Sequence, residues 1–228
     1  MTTARQIRAL TRPLLDRHAD LALVAGRMVW LKPVAHVARE IWIDRTGRAS
    51  DFYPKWHLTP MFTPEVTPAS SGGWCWDLIR RPLRPGDWNW IDPTVPEDFV
   101  RQVEAETLPI LRPVDTLEAY VAFARAHREA AMSTGHRWTL VMEIALGNLE
   151  AARAWWDKAA LGFSMDVPDL TPRERFVRGR YNELGPPLLD GDRAALAAIL
   201  HRWERENVTG TAAEPIWTPM PFPIEEAI

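Results

Sequence analysis

Between Leu21 and Phe62 the chain alternates apolar and polar positions. From Val37 the odd positions Val37, Ile41 and Ile43 are apolar, and from Phe52 the even positions Phe52, Pro54, Trp56, Leu58 and Phe62 take over. A period of two is the signature of strands, and the parity puts both sets on one face of an antiparallel hairpin that turns at Thr46-Gly47-Arg48. Parity also restricts the register to cross-strand pairs whose numbers sum to an odd value. A turn centred on Gly47-Arg48, with Gly47 in the first central position of a type II′ turn, sets Ile43 opposite Phe52, Val37 opposite Leu58, Trp42 opposite Tyr53 and Glu40 opposite Lys55. It also lays Arg39 over Trp56. A turn centred on Thr46-Gly47 instead sets Trp42 opposite Asp51 and Glu40 opposite Tyr53; the first register has the better pairs.

The same reading extends to both sides. Ile7, Leu10, Leu14 and Leu15 recur at helical spacing from Ala4 to about His18, with Arg5, Arg8, Arg12 and Arg17 on the other side. Pro13 calls for a break there or a start after Thr11. Leu21–Val24, then Gly26 and Met28–Leu31, suggest a first strand or hairpin whose regular pairing Pro33 ends. Thr63 to Gly73 is a Pro/Ser/Thr/Gly loop and Arg80 to Gly86 a turn, while Trp74, Trp76 and Leu78, and then Trp88 and Trp90, alternate as short strands.

Beyond Ile91 the period changes to about 3.6. Thr94-Val95-Pro96-Glu97 has the pattern of a capping box, followed by Phe99, Val100, Val103, Leu108 and Leu111. Asp115 to Glu118 opens a helix that Ser133-Thr134-Gly135 ends. Trp138–Leu146 and Leu149–Leu161, joined at Gly147-Asn148, make a helical hairpin. The run Ala145 to Trp155 is similar to a single tetratricopeptide-type unit, but no second copy follows at a fixed period and no solenoid is expected. Thr171-Pro172-Arg173-Glu174 caps a further helix, and Leu196, Ile199, Leu200 and Trp203 stripe a last one that starts near Asp192. The prolines between Pro215 and Ile224 predict an extended tail.

Composition adds compartment and charge. The chain of 228 residues is 46% hydrophobic, enough for a full core, and its single cysteine, Cys75, excludes an internal disulfide framework and a cysteine-based zinc site. The beginning of the sequence lacks the apolar run of a signal peptide, and no stretch approaches the ~20 apolar residues of a membrane span, so a cytoplasmic protein is expected. The formal net charge of -3 conceals a segment from Pro85 to Tyr120 with two basic and eight acidic residues, a net of -6. Such a segment can steer a cationic partner or form solvated helix faces.

Catalytic signatures are missing. There is no Gly-x-Ser-x-Gly elbow, no phosphate-binding Gly-Lys-Ser/Thr loop, no dinucleotide glycine pattern and no His-Glu-x-x-His zinc helix, and the scattered arginines of an acidic chain give no nucleic-acid signature. His36, Glu40, Asp44, Tyr53 and His57 share the strand face opposite the apolar one, where their proximity suggests metal or acid–base chemistry. With Glu40 matched to Lys55 and no third fixed ligand beside the two histidines, neither a metal nor another cofactor is expected. His127, Glu129 and His136 lie around a helix end, where the backbone dipole favours a charged imidazole. Cys75, between Trp74 and Trp76, reads as buried.

The expectation is an α+β protein. Residues 1–92 form an N-terminal helix and an antiparallel sheet of about four to six strands, residues 93–209 a helical subdomain, and residues 210–228 an extended tail. In general character it is similar to small bacterial cytoplasmic proteins, some of which are immunity partners of toxins, a likeness that rests on no motif and transfers no residue. The leading functional reading is a non-enzymatic protein-binding module, an inhibitor or immunity-type protein for a basic protein partner. Trp88 and Trp90 are its anchors, and Glu97, Asp98, Glu104 and Glu106 its steering charges. The alternative is an enzyme or small-ligand-binding protein with a Trp-lined pocket between sheet and helices. No catalytic residue is assigned, and neither nucleic acid nor membrane is expected as a partner.

Overall fold

A computed structural model of the chain describes residues 2–64, 75–81, 88–127 and 135–226. The fold is α+β: an N-terminal helix, a six-stranded antiparallel sheet and a C-terminal region of several helices. Contacts group the chain into two compact units, one of Met1–Pro60, Gly73–Met132 and Gly210–Thr218, the other of Met61–Gly72, Ser133–Thr209 and Pro219–Ile228.

In the first unit, α1 (Ala4–Arg17) opens with a capping box between Thr3 and Gln6 and runs unbroken through Pro13. The break expected at that proline does not occur. Burial of Ile7, Leu10, Thr11 and Leu14 along one face holds both halves of the helix in line, at the loss of the one hydrogen bond that the Pro13 nitrogen cannot donate.

The strands β1 (Leu21–Val24), β2 (Met28–Leu31), β3 (Val37–Arg45), β4 (Asp51–Pro60) and β5 (Cys75–Leu78) pair in sequence order, and β6 (Trp88–Asn89) returns to the start of β4. Ala25 and Gly26, both at positive φ (50° and 68°), close the first hairpin. The parity of the central hairpin is as expected, but its register is not. Val37 faces Pro60, Arg39 faces Leu58, Glu40 faces His57, Ile41 faces Trp56, Trp42 faces Lys55 and Asp44 faces Tyr53. The last pair is Arg45 with Phe52, so the connection is a longer loop in place of a tight II′ turn, and Gly47 does not take up positive φ. Thr46 explains the difference. Its hydroxyl accepts from the Arg48 amide at 3.0 Å and lies 2.8 Å from the Arg48 carbonyl, organising the loop from the side chain. Arg39 accordingly does not cover Trp56; it donates to the carbonyls of Arg112 and Pro33.

Among the described residues of this unit the sheet is followed by the α-helices α2 (Val95–Gln102), α3 (Leu108–Leu111), and α4 (Leu117–Ala126), which Thr116 caps through the Ala119 amide. The apolar face of the hairpin lies toward them, with Trp56 edge-on to Phe123, and Trp88 edge-on to Phe99 beside Phe52. The capping box expected at Thr94 is not formed. The Thr94 hydroxyl is drawn instead into a network with Asp92 and Arg81, and Asp92 accepts from the Thr94 amide. Between α2 and α3, Val103–Thr107 winds as a π turn just before Pro109, a residue with no amide to offer a regular ladder. α4 stops at Ala126 with His127 at its C-cap, earlier than expected. The expected helix end at Ser133-Thr134, together with Trp74, Glu129, most of the loop from Thr63 to Gly73 and most of the turn from Arg80 to Gly86, lies outside the described residues.

The second unit holds α5 (His136–Ala145), α6 (Leu149–Ala159), α7 (Pro172–Asp190), α8 (Arg193–Val208) and α9 (Pro223–Glu226). The hairpin at Gly147 and the Thr171–Glu174 capping box form as expected, and Asp192 caps α8 through the Ala195 amide. Phe163, Tyr181, Leu184, Leu188, Leu200, Trp203 and Phe222 make its core. The tail is not wholly extended: after a bridge between Val34 and Trp217 in the first unit, Pro223 opens the short helix α9, where its fixed φ and missing amide fit the first position.

Candidate functional site

On the face of the sheet opposite α2–α4, four strands set four side chains in one row. Trp30 on β2 is paired with Glu40 on β3, Glu40 with His57 on β4, and His57 with Trp76 on β5. The neighbouring row is Met28, Trp42, Lys55 and Leu78. Alternation along each strand brings these residues to one face, and antiparallel pairing aligns them across it.

This face is not the solvated one that its polar residues suggested: Glu40 and His57 are each only 2% exposed. Lys55, expected opposite Glu40, bonds Asp44 at 2.8 Å, because the true register lies two residues from the expected one. Among the described residues Glu40 therefore has no cation. It accepts a short hydrogen bond from the indole nitrogen of Trp42 and a second from Thr59. Burial pushes its carboxyl up to about 7, against the opposing pull of those two bonds.

His57 is shifted the other way. Burial lowers it to about 4, the adjacent Lys55 charge adds to the effect, and Asp44 opposes it. Its imidazole is neutral at physiological pH and flanked by indoles, stacked on Trp76 at 6.0 Å and tilted against Trp42 at 5.3 Å. Neither ring nitrogen has a hydrogen-bond partner among the described residues, and Trp30 Nε1, at the other end of the row, has none either. Buried polar atoms are nearly always satisfied, so three orphans in one row mark a place with bonding capacity left over.

Chemically the row presents a carboxyl that exchanges its proton near neutral pH, a neutral imidazole with one donor and one acceptor nitrogen, and an indole donor, all in low dielectric. Of the other polar residues assigned to this face, His36 is buried and Tyr53 is 41% exposed at the far end of the hairpin. Among the described residues no group of three or more His, Cys, Asp or Glu side chains is arranged to hold a metal ion. Cys75 is fully buried, His127 closes α4, and His136 opens α5 against Trp155.

The residues assigned to partner binding are placed differently. Trp88 is a core residue, 3% exposed, with its indole nitrogen bonded to the Ile79 carbonyl. Trp90 is half-buried, stacked on Phe52 at 4.0 Å and bonded to Thr2. Asp98 is held by Arg81, Glu97 by Arg101, and Glu104 by Arg17 and His18; Glu106 is exposed. Burial opposes ionisation of Glu104, but hydrogen bonds from His18 and Arg17 keep its pKa below the ordinary value. Glu97 and Glu104 do come together, in an open groove of about 420 Å³ with Pro13, Arg17, Pro96, Val100 and Arg101.

Comparison of the chain with models of protein families, with curated proteins and with solved structures finds no match. No helix among the described residues is long and apolar enough to cross a membrane.

Proposed function

We propose that this chain is a small-ligand-binding protein whose site is the row Trp30–Glu40–His57–Trp76, with Glu40 as its proton-exchanging group. The observation that carries the reading is the set of three polar atoms, Trp30 Nε1 and both nitrogens of His57, that have no hydrogen-bond partner among the described residues and lie in one buried row. A carboxyl raised to about 7 beside a neutral imidazole disfavours a charged guest, which would lie unpaired in low dielectric. Indole planes and adjacent donor and acceptor groups favour a flat, uncharged heteroaromatic molecule.

Native mass spectrometry of the purified protein, combined with 15N NMR of His57 during titration with neutral heteroaromatic compounds, tests this. The expected result is a bound small molecule, or a saturable shift of the His57 nitrogens, that His57→Phe abolishes. Imidazole signals that no compound moves, in a protein that carries no small molecule, would refute it.

The protein-binding module of immunity type is the second reading. It is favoured by the meeting of Glu97 and Glu104 in one open groove, although Arg17 and Arg101 on the same walls offset their charge. Co-expression with the product of the neighbouring gene tests it: co-purification that Glu97→Arg with Glu104→Arg removes would support it, and separate elution of the two proteins would count against it.

A further inference from the structure

In the second unit a groove of about 310 Å³ lies between the first turns of α5 and α7, lined by Arg137, Arg173, Glu174, Val177 and Arg178. Two of its guanidinium groups, those of Arg137 and Arg178, are held by neutral hydrogen-bond or ring partners. Arg137 lies over Phe163 at 5.6 Å and Tyr181 at 5.7 Å, two rings that are themselves stacked 4.6 Å apart. Arg178 donates to the Ser164 carbonyl at 2.8 Å, and Arg173 to the Pro64 carbonyl at 3.2 Å. Among the described residues neither Arg137 nor Arg178 has a carboxylate within ion-pair distance.

Glu174 is the one acid among the described residues of the walls. It is committed to the α7 cap, accepting from the Thr171 hydroxyl and amide at 2.6 and 2.9 Å, and those bonds hold its pKa below the ordinary value. Among the described residues the groove therefore carries three positive charges against one negative. A guanidinium has five N–H donors in a planar fork, and one held by a single carbonyl or by a ring face retains donors for an oxyanion.

We infer that this groove binds a phosphate group, free or as a simple monoester, with Arg137 and Arg178 as the principal ligands and Val177 beside the ester carbon. Two guanidiniums already immobilised lose little freedom on binding, which favours affinity. Bidentate charge-assisted bonds favour phosphate over chloride.

Titration of the whole protein with inorganic phosphate and with phenyl phosphate at low ionic strength, followed by calorimetry and arginine 15Nε NMR, is the test. Saturable binding is expected, with the Arg137 and Arg178 signals moving. Arg178→Gln should weaken it at least about fivefold, and Arg175→Gln, exposed on α7 outside the groove, should leave it unchanged. Arg137→Gln removes a cation–π contact as well, so Arg178→Gln decides the matter if the Arg137 variant fails to fold. Tighter binding of phenyl phosphate assigns the groove to an ester and equal affinity to free phosphate, either of which supports the inference. No saturation by about 10 mM, or equal weakening by Arg175→Gln, overturns it.

Discussion

Glu40 and His57 are direct cross-strand partners, yet no hydrogen bond joins their side chains. Each is buried in the form its surroundings favour, the carboxyl keeping its proton up to about pH 7 and the imidazole staying neutral above about pH 4, so between those values the pair sits together without forming an ion pair.

The two shifts have opposite effects on stability. Between 4.5 and about 7 folded Glu40 keeps a proton that the unfolded chain has lost, so its contribution falls as pH rises through that window. Between about 4 and 6.5 the unfolded chain holds a proton on His57 that the folded state lacks, so that contribution rises. Across the shared window they offset. Urea unfolding at pH 5 and 6.5 should show Glu40→Gln gaining stability with pH and His57→Phe losing it, each by at most about 1.4 kcal/mol per unit. Variants that both follow the wild-type profile would contradict the shifts.

Lys55 and Asp44 tune the imidazole from opposite sides. Lys55→Gln should raise the His57 pKa by removing a nearby cation, and Asp44→Asn should lower it further. The His57 proton signals, followed across pH, read both directions directly.

Trp88 joins β6 to the helices, with Phe99 edge-on at 5.8 Å and the Ile79 carbonyl as its acceptor. Trp88→Ala should cost about 3–5 kcal/mol in a denaturant titration. An unchanged midpoint would mean that the ring is not packed as described.

Asn207 of α8 donates to the carbonyls of Met61 at 2.7 Å and Thr63 at 3.0 Å, all buried within the second unit. Asn207→Ala leaves both acceptors short of a donor and should destabilise that unit by about 1–3 kcal/mol. Amide exchange in α5–α8 would report the loss.

The class of fold and the two faces of the central hairpin were legible because parity depends only on alternation. The pairs were not, because the loop is organised by the Thr46 hydroxyl where Gly47 suggested a tight turn. That displacement hid the site. With Lys55 set opposite Glu40 the carboxylate looked satisfied, and only the true register, pairing Glu40 with His57 and sending Lys55 to Asp44, shows it without a cation among the described residues. Burial of the polar face was not legible either, since the alternation describes a half-exposed sheet equally well. Whether Trp88 fills the core or anchors an interface was not legible, because its neighbours Phe52 and Phe99 are distant in sequence.

The far side of β4 is shared between two short strands: β6 pairs with Asp51 and Phe52, β5 with the stretch from Lys55 to Leu58. The sheet thus ends on segments of two and four residues in place of one long rim of free amides and carbonyls. Among the described residues of this edge a foreign strand meets two short segments in place of one continuous template, a geometry that disfavours edge-to-edge pairing there.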